Sequence, residues 1–263
     1  MLELNKIHQG DCLELMKDIP DGSIDMILCD LPYGTTACKW DTIIPFEPLW
    51  EQYERVIKDN GAILLTASQP FTSALVMSNP KIFKYEWIWD RVVNGHPLNA
   101  KRQPLRRHES VCVFYKKQCV YNPQMTEISR EEVKRQLRKK SKKSHTSKGL
   151  TGDFNTYTRA EYRAEDLRYN YPTSFLEFNA KANECNPYHR QHPTQKPVAL
   201  FEYLIKTYTS EGETVLDNCI GSGTTAIAAL NANRSFIGIE KEKEYVDIAN
   251  ERIKQSQLMF EMG

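Results

Sequence analysis

Two short segments near opposite ends of the chain combine residue types that could do chemistry. The first is Asp30-Leu31-Pro32-Tyr33-Gly34, directly after the apolar run Met26–Cys29. A carboxylate, a rigid turn and an aromatic ring at the end of a strand stand where open α/β sheets bind ligands. An exocyclic amine is a poor nucleophile because its lone pair is delocalised into its ring. If the Asp30 carboxylate and the Leu31 carbonyl accept its two N–H groups, the nitrogen becomes pyramidal and its lone pair can attack an electrophile. Positive charge then builds beside Asp30, and the proton leaves to Asp30 or to water. Tyr33 could stack on an extruded base. Taken alone, the segment is equally a Pro-directed turn with an exposed aspartate.

The second segment runs Thr214-Val215-Leu216-Asp217-Asn218-Cys219-Ile220-Gly221-Ser222-Gly223-Thr224-Thr225-Ala226 and reads as strand, glycine turn, helix. Glycines let a ligand approach the backbone, and the helix that follows offers free N–H groups. Glu240 closes the next apolar run, near the roughly 20-residue spacing of an acceptor for ribose hydroxyls. The segment therefore predicts a nucleoside-cofactor pocket. Gly221-x-Gly223-x-x-Ala226 also satisfies the dinucleotide fingerprint, which keeps a nicotinamide or flavin oxidoreductase as a rival. Asp217 opposes that rival, because its charge would repel a pyrophosphate but suits the cationic end of a sulfonium cofactor. A tight turn with no ligand is the remaining reading.

Taken together, these motifs resemble those of DNA amino-methyltransferases. Asp30-Leu31-Pro32-Tyr33 resembles their Asp-Pro-Pro-Tyr catalytic motif, with Leu31 standing where the family usually has proline. Gly221-Ser222-Gly223-Thr224 resembles their cofactor loop. Gln9-Gly10-Asp11-Cys12-Leu13 and His192-Pro193-Thr194-Gln195-Lys196-Pro197 are similar to two further family segments. The catalytic motif precedes the cofactor motif, which marks the β group. This resemblance implies a circularly permuted class I methyltransferase fold: an α/β, Rossmann-like, mostly parallel sheet of seven strands with an inserted target-recognition lobe. It implies S-adenosylmethionine as cofactor, bound by Asp11, Asp30, Lys196, Asp217, Gly221, Ser222, Gly223, Thr224 and Glu240. It also implies Asp30, Leu31, Pro32 and Tyr33 as the catalytic set, acting on adenine N6 of a flipped base in double-stranded DNA. Cytosine N4 is the alternative amine, and a non-catalytic DNA-binding module is a third rival. A homodimer and a cognate restriction endonuclease are the protein partners it implies.

Two of these residues have plainer readings as well. Asp11 can serve as N-cap of a helix over Cys12–Lys17. Lys196 precedes Pro197 at a helix start, where the dipole disfavours a cation, so it points to an anionic ligand such as the cofactor carboxylate.

Elements able to position these motifs are legible in the apolar pattern. Met26–Cys29, Ala62–Ala67, Val215–Leu216 and Phe236–Ile239 read as buried parallel strands, with Trp87–Arg91 and Ser110–Tyr115 as two more. Leu49–Lys58, Leu200–Tyr208, Thr224–Asn231 and Lys243–Lys254 carry helical spacing. The 263 residues, 40% of them hydrophobic, suit one large α/β domain with a smaller lobe. Residues 1–116 and 191–263 form its catalytic and cofactor-binding halves, and the polar stretch 117–190 forms the target-recognition insertion. Net charge is only +1, yet Lys134–Lys148 includes Arg138, Lys139, Lys140, Lys142 and Lys143 with no acid among them. That run is an ordinary solvated segment or a phosphate-binding one. Lys101, Arg102, Arg106 and Arg107 form a second basic loop, and Lys39 and Trp40 sit in a loop that could close over a flipped base. The seven cysteines contain no CxxC pair, so neither a disulfide framework nor a metal site is predicted. No apolar run reaches about 18 residues and no signal-peptide layout opens the chain, so a cytoplasmic protein is expected.

Overall fold

The computed structural model describes residues 2–35, 41–95, 97–129, 131, 135, 169–180 and 195–261. These divide into two compact units, Met1–Asn122 with Ser174–Gly263, and Pro123–Thr173.

In chain order, strands β1 (Lys6–Gln9) and β2 (Ile24–Cys29) flank helix α1 (Cys12–Leu15) and a 3-10 turn at Met16–Asp18. Helix α2 (Phe46–Val56) runs straight into β3 (Ile57–Ala67), and α3 (Phe71–Ser78) precedes β4 (Phe83–Gly95) and β5 (Arg106–Phe114). In the second unit β6 (Thr126–Glu127) and β7 (Tyr169–Asn170) pair antiparallel. Back in the first unit follow β8 (Phe175–Glu177), α4 (Val198–Tyr208), β9 (Thr214–Asp217), α5 (Thr224–Asn231), β10 (Ser235–Glu240) and α6 (Lys243–Glu261).

The main sheet has the order β1-β10-β9-β2-β3-β5-β4-β8. β1, β10, β9, β2 and β3 are mutually parallel, and β5 runs antiparallel to both β3 and β4. The sheet therefore has eight strands among the described residues where seven were expected. The addition is β8, which pairs parallel with β4 through Ile88↔Phe175 to Asp90↔Glu177. Only Leu176 of its three residues is buried, so no apolar run announces it.

Side-chain alternation on β2 feeds two cores. Met26 and Leu28 join a cluster with Leu200, Phe201 and Leu204 of α4 and the alanines of α5. Ile27 and Cys29 join a cluster with Leu49 and Tyr53 of α2 and Phe71 and Leu75 of α3. The chain leaves β2 toward β3 and leaves β9 toward β10, so the strand order reverses between β2 and β9. Their carboxyl ends form the crevice at a topological switch point, where ligands bind in such sheets. The Asp30 segment follows β2 and Asp217 ends β9, so both motifs open into that crevice. No helix among the described residues is long and apolar enough to cross a membrane.

Candidate active site

A cavity of about 750 Å³ lies along this crevice, and Asp30, Leu31, Pro32 and Tyr33 are in its wall. Asp30 is held from two directions. Its Oδ1 accepts from the Tyr33 hydroxyl at 2.7 Å and from the Thr66 hydroxyl. Its Oδ2 accepts from the Lys196 ammonium at 2.5 Å. Thr66 arrives because β3 lies beside β2 in register, with Cys29 opposite Leu65. The Tyr33 ring stacks on Phe71 with centroids 5.0 Å apart, so its orientation is fixed by packing as well as by hydrogen bonding. Burial, then the Asp30 and Glu109 carboxylates, push the Tyr33 phenol well above its ordinary pKa, so it remains a donor. Asp41 secures the turn beyond Tyr33 by accepting from the backbone of Gly34 at 2.8 Å and Thr35 at 2.9 Å.

Lys196, just ahead of α4, is buried at 7% exposure. Besides Asp30, its ammonium faces Glu109 Oε2 at 3.6 Å. Burial alone would lower its pKa, but the Asp30 and Glu109 carboxylates outweigh that and raise it, so the lysine is cationic. An anionic ligand was expected at this helix-start lysine; the anions beside it in the structure are the chain's own Asp30 and Glu109.

The glycine loop forms the other end of the cavity. Gly221 and Gly223 adopt φ of 52° and 84°, the left-handed region glycine occupies cheaply. Gly223 is the N-cap of α5, and a Cβ on it would meet the Ala249 Cβ of α6 at 3.0 Å. Its place in the loop is thus a matter of turn and helix packing, whereas Gly221, Ser222 and Thr224 line the cavity. Asp217 accepts from the Cys219 amide at 3.0 Å and from the Thr225 hydroxyl. Burial pushes its carboxyl up to about 7. Glu240 Oε2 accepts from the Gly221 amide at 2.9 Å, and its Oε1 from the Glu242 amide at 2.8 Å. Asp11 caps α1 through the Leu13 amide at 3.0 Å and also lines the cavity. From below, the fully buried Tyr53 of α2 donates to Asn218 at 2.6 Å and braces the loop.

The cavity wall near the loop carries Asp11, Asp217, Glu240 and Glu242 against Lys241. The Gly221 amide is taken by Glu240 and the Gly223 amide by the Ile220 carbonyl at 2.9 Å. A pyrophosphate needs free N–H groups and tolerates few carboxylates. Here two loop amides are engaged and the wall is rich in carboxylates, which fits ribose hydroxyls and a cationic group better.

Around the cavity, Arg106 donates to the Ser68 hydroxyl and to the Gln69 carbonyl at 3.1 Å, and Arg107 pairs with Asp90 at 2.6 Å. Lys101 and Arg102 are exposed in the turn before β5. Lys39, Trp40, Arg138, Lys139, Lys140, Lys142, Lys143 and the His192–Thr194 part of the last motif lie outside the described residues. Sequence reasoning missed Thr66, Arg91 and Glu109, which line or brace the Asp30 end. Thr66 alone carried a signal, a polar residue inside the apolar run Ala62–Ala67, whereas Arg91 and Glu109 have polar neighbours in sequence.

A doubly wound sheet with an acidic glycine loop beside a held Asp-Leu-Pro-Tyr turn defines a class of group-transfer enzyme, and comparison with known proteins agrees. The DNA methylase family profile, that of N6 and N4 methyltransferases, matches residues 24–251, and the chain belongs to this family. The type II methyltransferase M.BglII of Bacillus subtilis is 30% identical over 265 residues, covering 94% of this chain and 68% of that protein. Among solved structures, the M1.HpyAVI–SAM complex superposes with a TM-score of 0.60 at 23% identity, covering 94% of this chain and 98% of that one. The cytosine-N4-specific PvuII DNA methyltransferase gives 0.62 at 15% identity, covering 95% and 90%. These likenesses establish the fold as that of the methyltransferases.

Proposed function

We propose that this chain transfers a methyl group from S-adenosylmethionine to the N6 amine of an adenine flipped out of double-stranded DNA. The observation that carries this reading is the Asp30 carboxylate, fixed by Lys196, Tyr33 and Thr66 in the wall of the cavity that the glycine loop also lines. The cofactor supplies an electrophilic methyl group. Asp217, Glu240 and Asp11 suit its cationic and ribose groups, and the loop backbone at Gly221 lets it approach. Asp30 and the Leu31 carbonyl accept from the target amine and hold its lone pair toward the donor. Asp30 also stabilises the charge that develops on nitrogen and lies in reach of the departing proton. Lys101 and Arg102, with the basic run that includes Arg138, Lys139, Lys140, Lys142 and Lys143, supply phosphate contacts that position the duplex. An aspartate rather than a serine at position 30 favours adenine over cytosine. The relatives named as type II methyltransferases support pairing with a restriction endonuclease.

The test is methyl transfer from labelled S-adenosylmethionine to varied genomic duplex DNA, followed by nucleoside analysis. N6-methyladenine is the expected product. N4-methylcytosine would move the target to the other amine, and an absence of label on DNA would sink the reading.

A pH dependence follows from Asp217. Its folded pKa is about 7, above the unfolded value of roughly 4. The ligand-free protein therefore loses the contribution of this group as pH rises from about 4 through 7. The cationic cofactor prefers the ionised form, so its affinity is expected to rise about tenfold between pH 6 and 8 and then level off. Calorimetric titration at several pH values checks this, and Asp217→Asn should flatten the curve. An unchanged slope in the variant would contradict it.

A further inference from the structure

Apart from Thr72 Oγ1, two buried side-chain atoms of the first unit have no hydrogen-bond partner among the described residues: Arg91 Nε, a donor, and Glu109 Oε2, an acceptor that faces the Lys196 ammonium at 3.6 Å. They belong to one ion pair, in which Arg91 Nη1 lies 3.0 Å from Glu109 Oε1. A buried donor or acceptor left unmatched costs about 1–3 kcal/mol. Placing one of each in a single pair is expensive unless a ligand completes them. Both residues line the cavity that holds Asp30.

Their position narrows the choice of ligand. Arg91 is on β4 and Glu109 on β5, and both strands lie on the far side of β2 and β3 from the glycine loop. Glu109 Oε2 is 3.6 Å from the Lys196 ammonium, which is 2.5 Å from Asp30. The pair is thus one ammonium group away from the carboxylate that receives the amine. Arg91 and Lys196 balance Asp30 and Glu109 in charge, so this wall suits a neutral group rather than an ion. The Arg91 guanidinium sits over the Trp89 ring at 5.9 Å, and the Arg91 carbonyl accepts from the Ala180 amide at 3.0 Å. The side chain is held in place before any ligand arrives.

We infer that Arg91 and Glu109 read the edge of the target base. Arg91 Nε–H donates to the lone-pair ring nitrogen next to the exocyclic amine, and the Glu109 carboxylate lies on the amine side, where its charge attracts the amine and repels a carbonyl while Asp30 and the Leu31 carbonyl take the two N–H groups. Adenine and cytosine both offer a donor beside an acceptor at this edge. Their keto counterparts, hypoxanthine and uracil, offer a carbonyl oxygen beside a ring N–H, so both contacts become repulsive. The pair therefore selects amino bases over keto bases. This inference rests on the function proposed above, but its central test does not depend on DNA methylation.

The test measures binding of free adenine, cytosine, hypoxanthine and uracil to the cofactor-loaded protein by ligand-observed NMR at millimolar concentration. The wild type should prefer adenine over hypoxanthine by about tenfold or more. Glu109→Gln, whose amide can turn to face a carbonyl, and Arg91→Lys, which keeps the charge but lacks Nε–H, should each bring that preference close to unity. In both variants cofactor affinity should stay within about twofold of wild type, and kcat/KM on DNA should fall about 10- to 100-fold. A preference that survives both substitutions, equal binding of the two bases by the wild type, or no binding of either overturns the inference. Loss of cofactor affinity would also overturn it by assigning the pair to the cofactor. If the wild type labels no DNA, the proposed function fails by itself, while the base-binding comparison still decides the role of the pair.

Discussion

Asp30→Asn is expected to lower methyl transfer about a thousandfold, within the range seen when a positioned charge and proton acceptor is removed. The carboxamide keeps the shape of the side chain and one accepting oxygen. It carries no charge to oppose the positive nitrogen and cannot take up the proton. Cofactor affinity should change little, because the groups nearest the glycine loop are Asp217, Glu240 and Asp11. Single-turnover transfer to DNA, with calorimetric cofactor binding alongside, checks both halves. A rate within tenfold of wild type would show that the amine is activated by something other than Asp30.

The largest effect on stability is expected at Lys196. Lys196→Met takes the buried ammonium from between Asp30 and Glu109, leaving Asp30 with the Tyr33 and Thr66 hydroxyls and Glu109 with Arg91. Breaking one partner of a buried pair costs about 3–5 kcal/mol, and for a chain of this size that lowers the melting midpoint by roughly 10 °C. Adding Asp30→Asn to Lys196→Met should return part of the loss without returning activity, since the two substitutions remove one interaction together. Thermal melting of both singles and the double variant measures this. Additive losses would mean that the two side chains do not depend on each other. The same geometry explains why lysine stands so close to a helix start, where a cation is otherwise disfavoured.

How much of this was legible in the sequence varies by element. Helix α5, Thr224–Asn231, has the bounds its spacing predicts, because a glycine turn marks its start and its small apolar residues are continuous. β2, β9 and β10 appear where apolar runs placed them, each extended by a residue or two into less apolar flanks. β1 did not show, since Ile7 is its one buried residue and an edge strand needs no run. The site divides in the same manner. Asp30 and Asp217 are signalled by the turns that carry them. Thr66, Arg91 and Glu109 acquire meaning only from register: β3 and β5 pair with Thr66 opposite Val111, and β4 and β5 with Trp89 opposite Glu109. Register is a long-range property fixed by which faces are buried, and no local pattern encodes it. Lys196 shows the limit from the other side, since local reasoning pointed to an anionic ligand and the structure puts the chain's own Asp30 against it.

The adjacency of β2 and β9 at the centre of the sheet has a consequence for how the chain matures. The two strands pair through Met26↔Val215 and Ile27↔Leu216, contacts between residues near opposite ends of the chain. During synthesis, which proceeds from the N-terminus, the Asp30 turn emerges well before β9, the strand that must lie beside its own. A nascent chain can therefore assemble the β2–β3 side but not the crevice. Competence to bind cofactor and base arrives in one late step, so unfinished chains are inert rather than partly active.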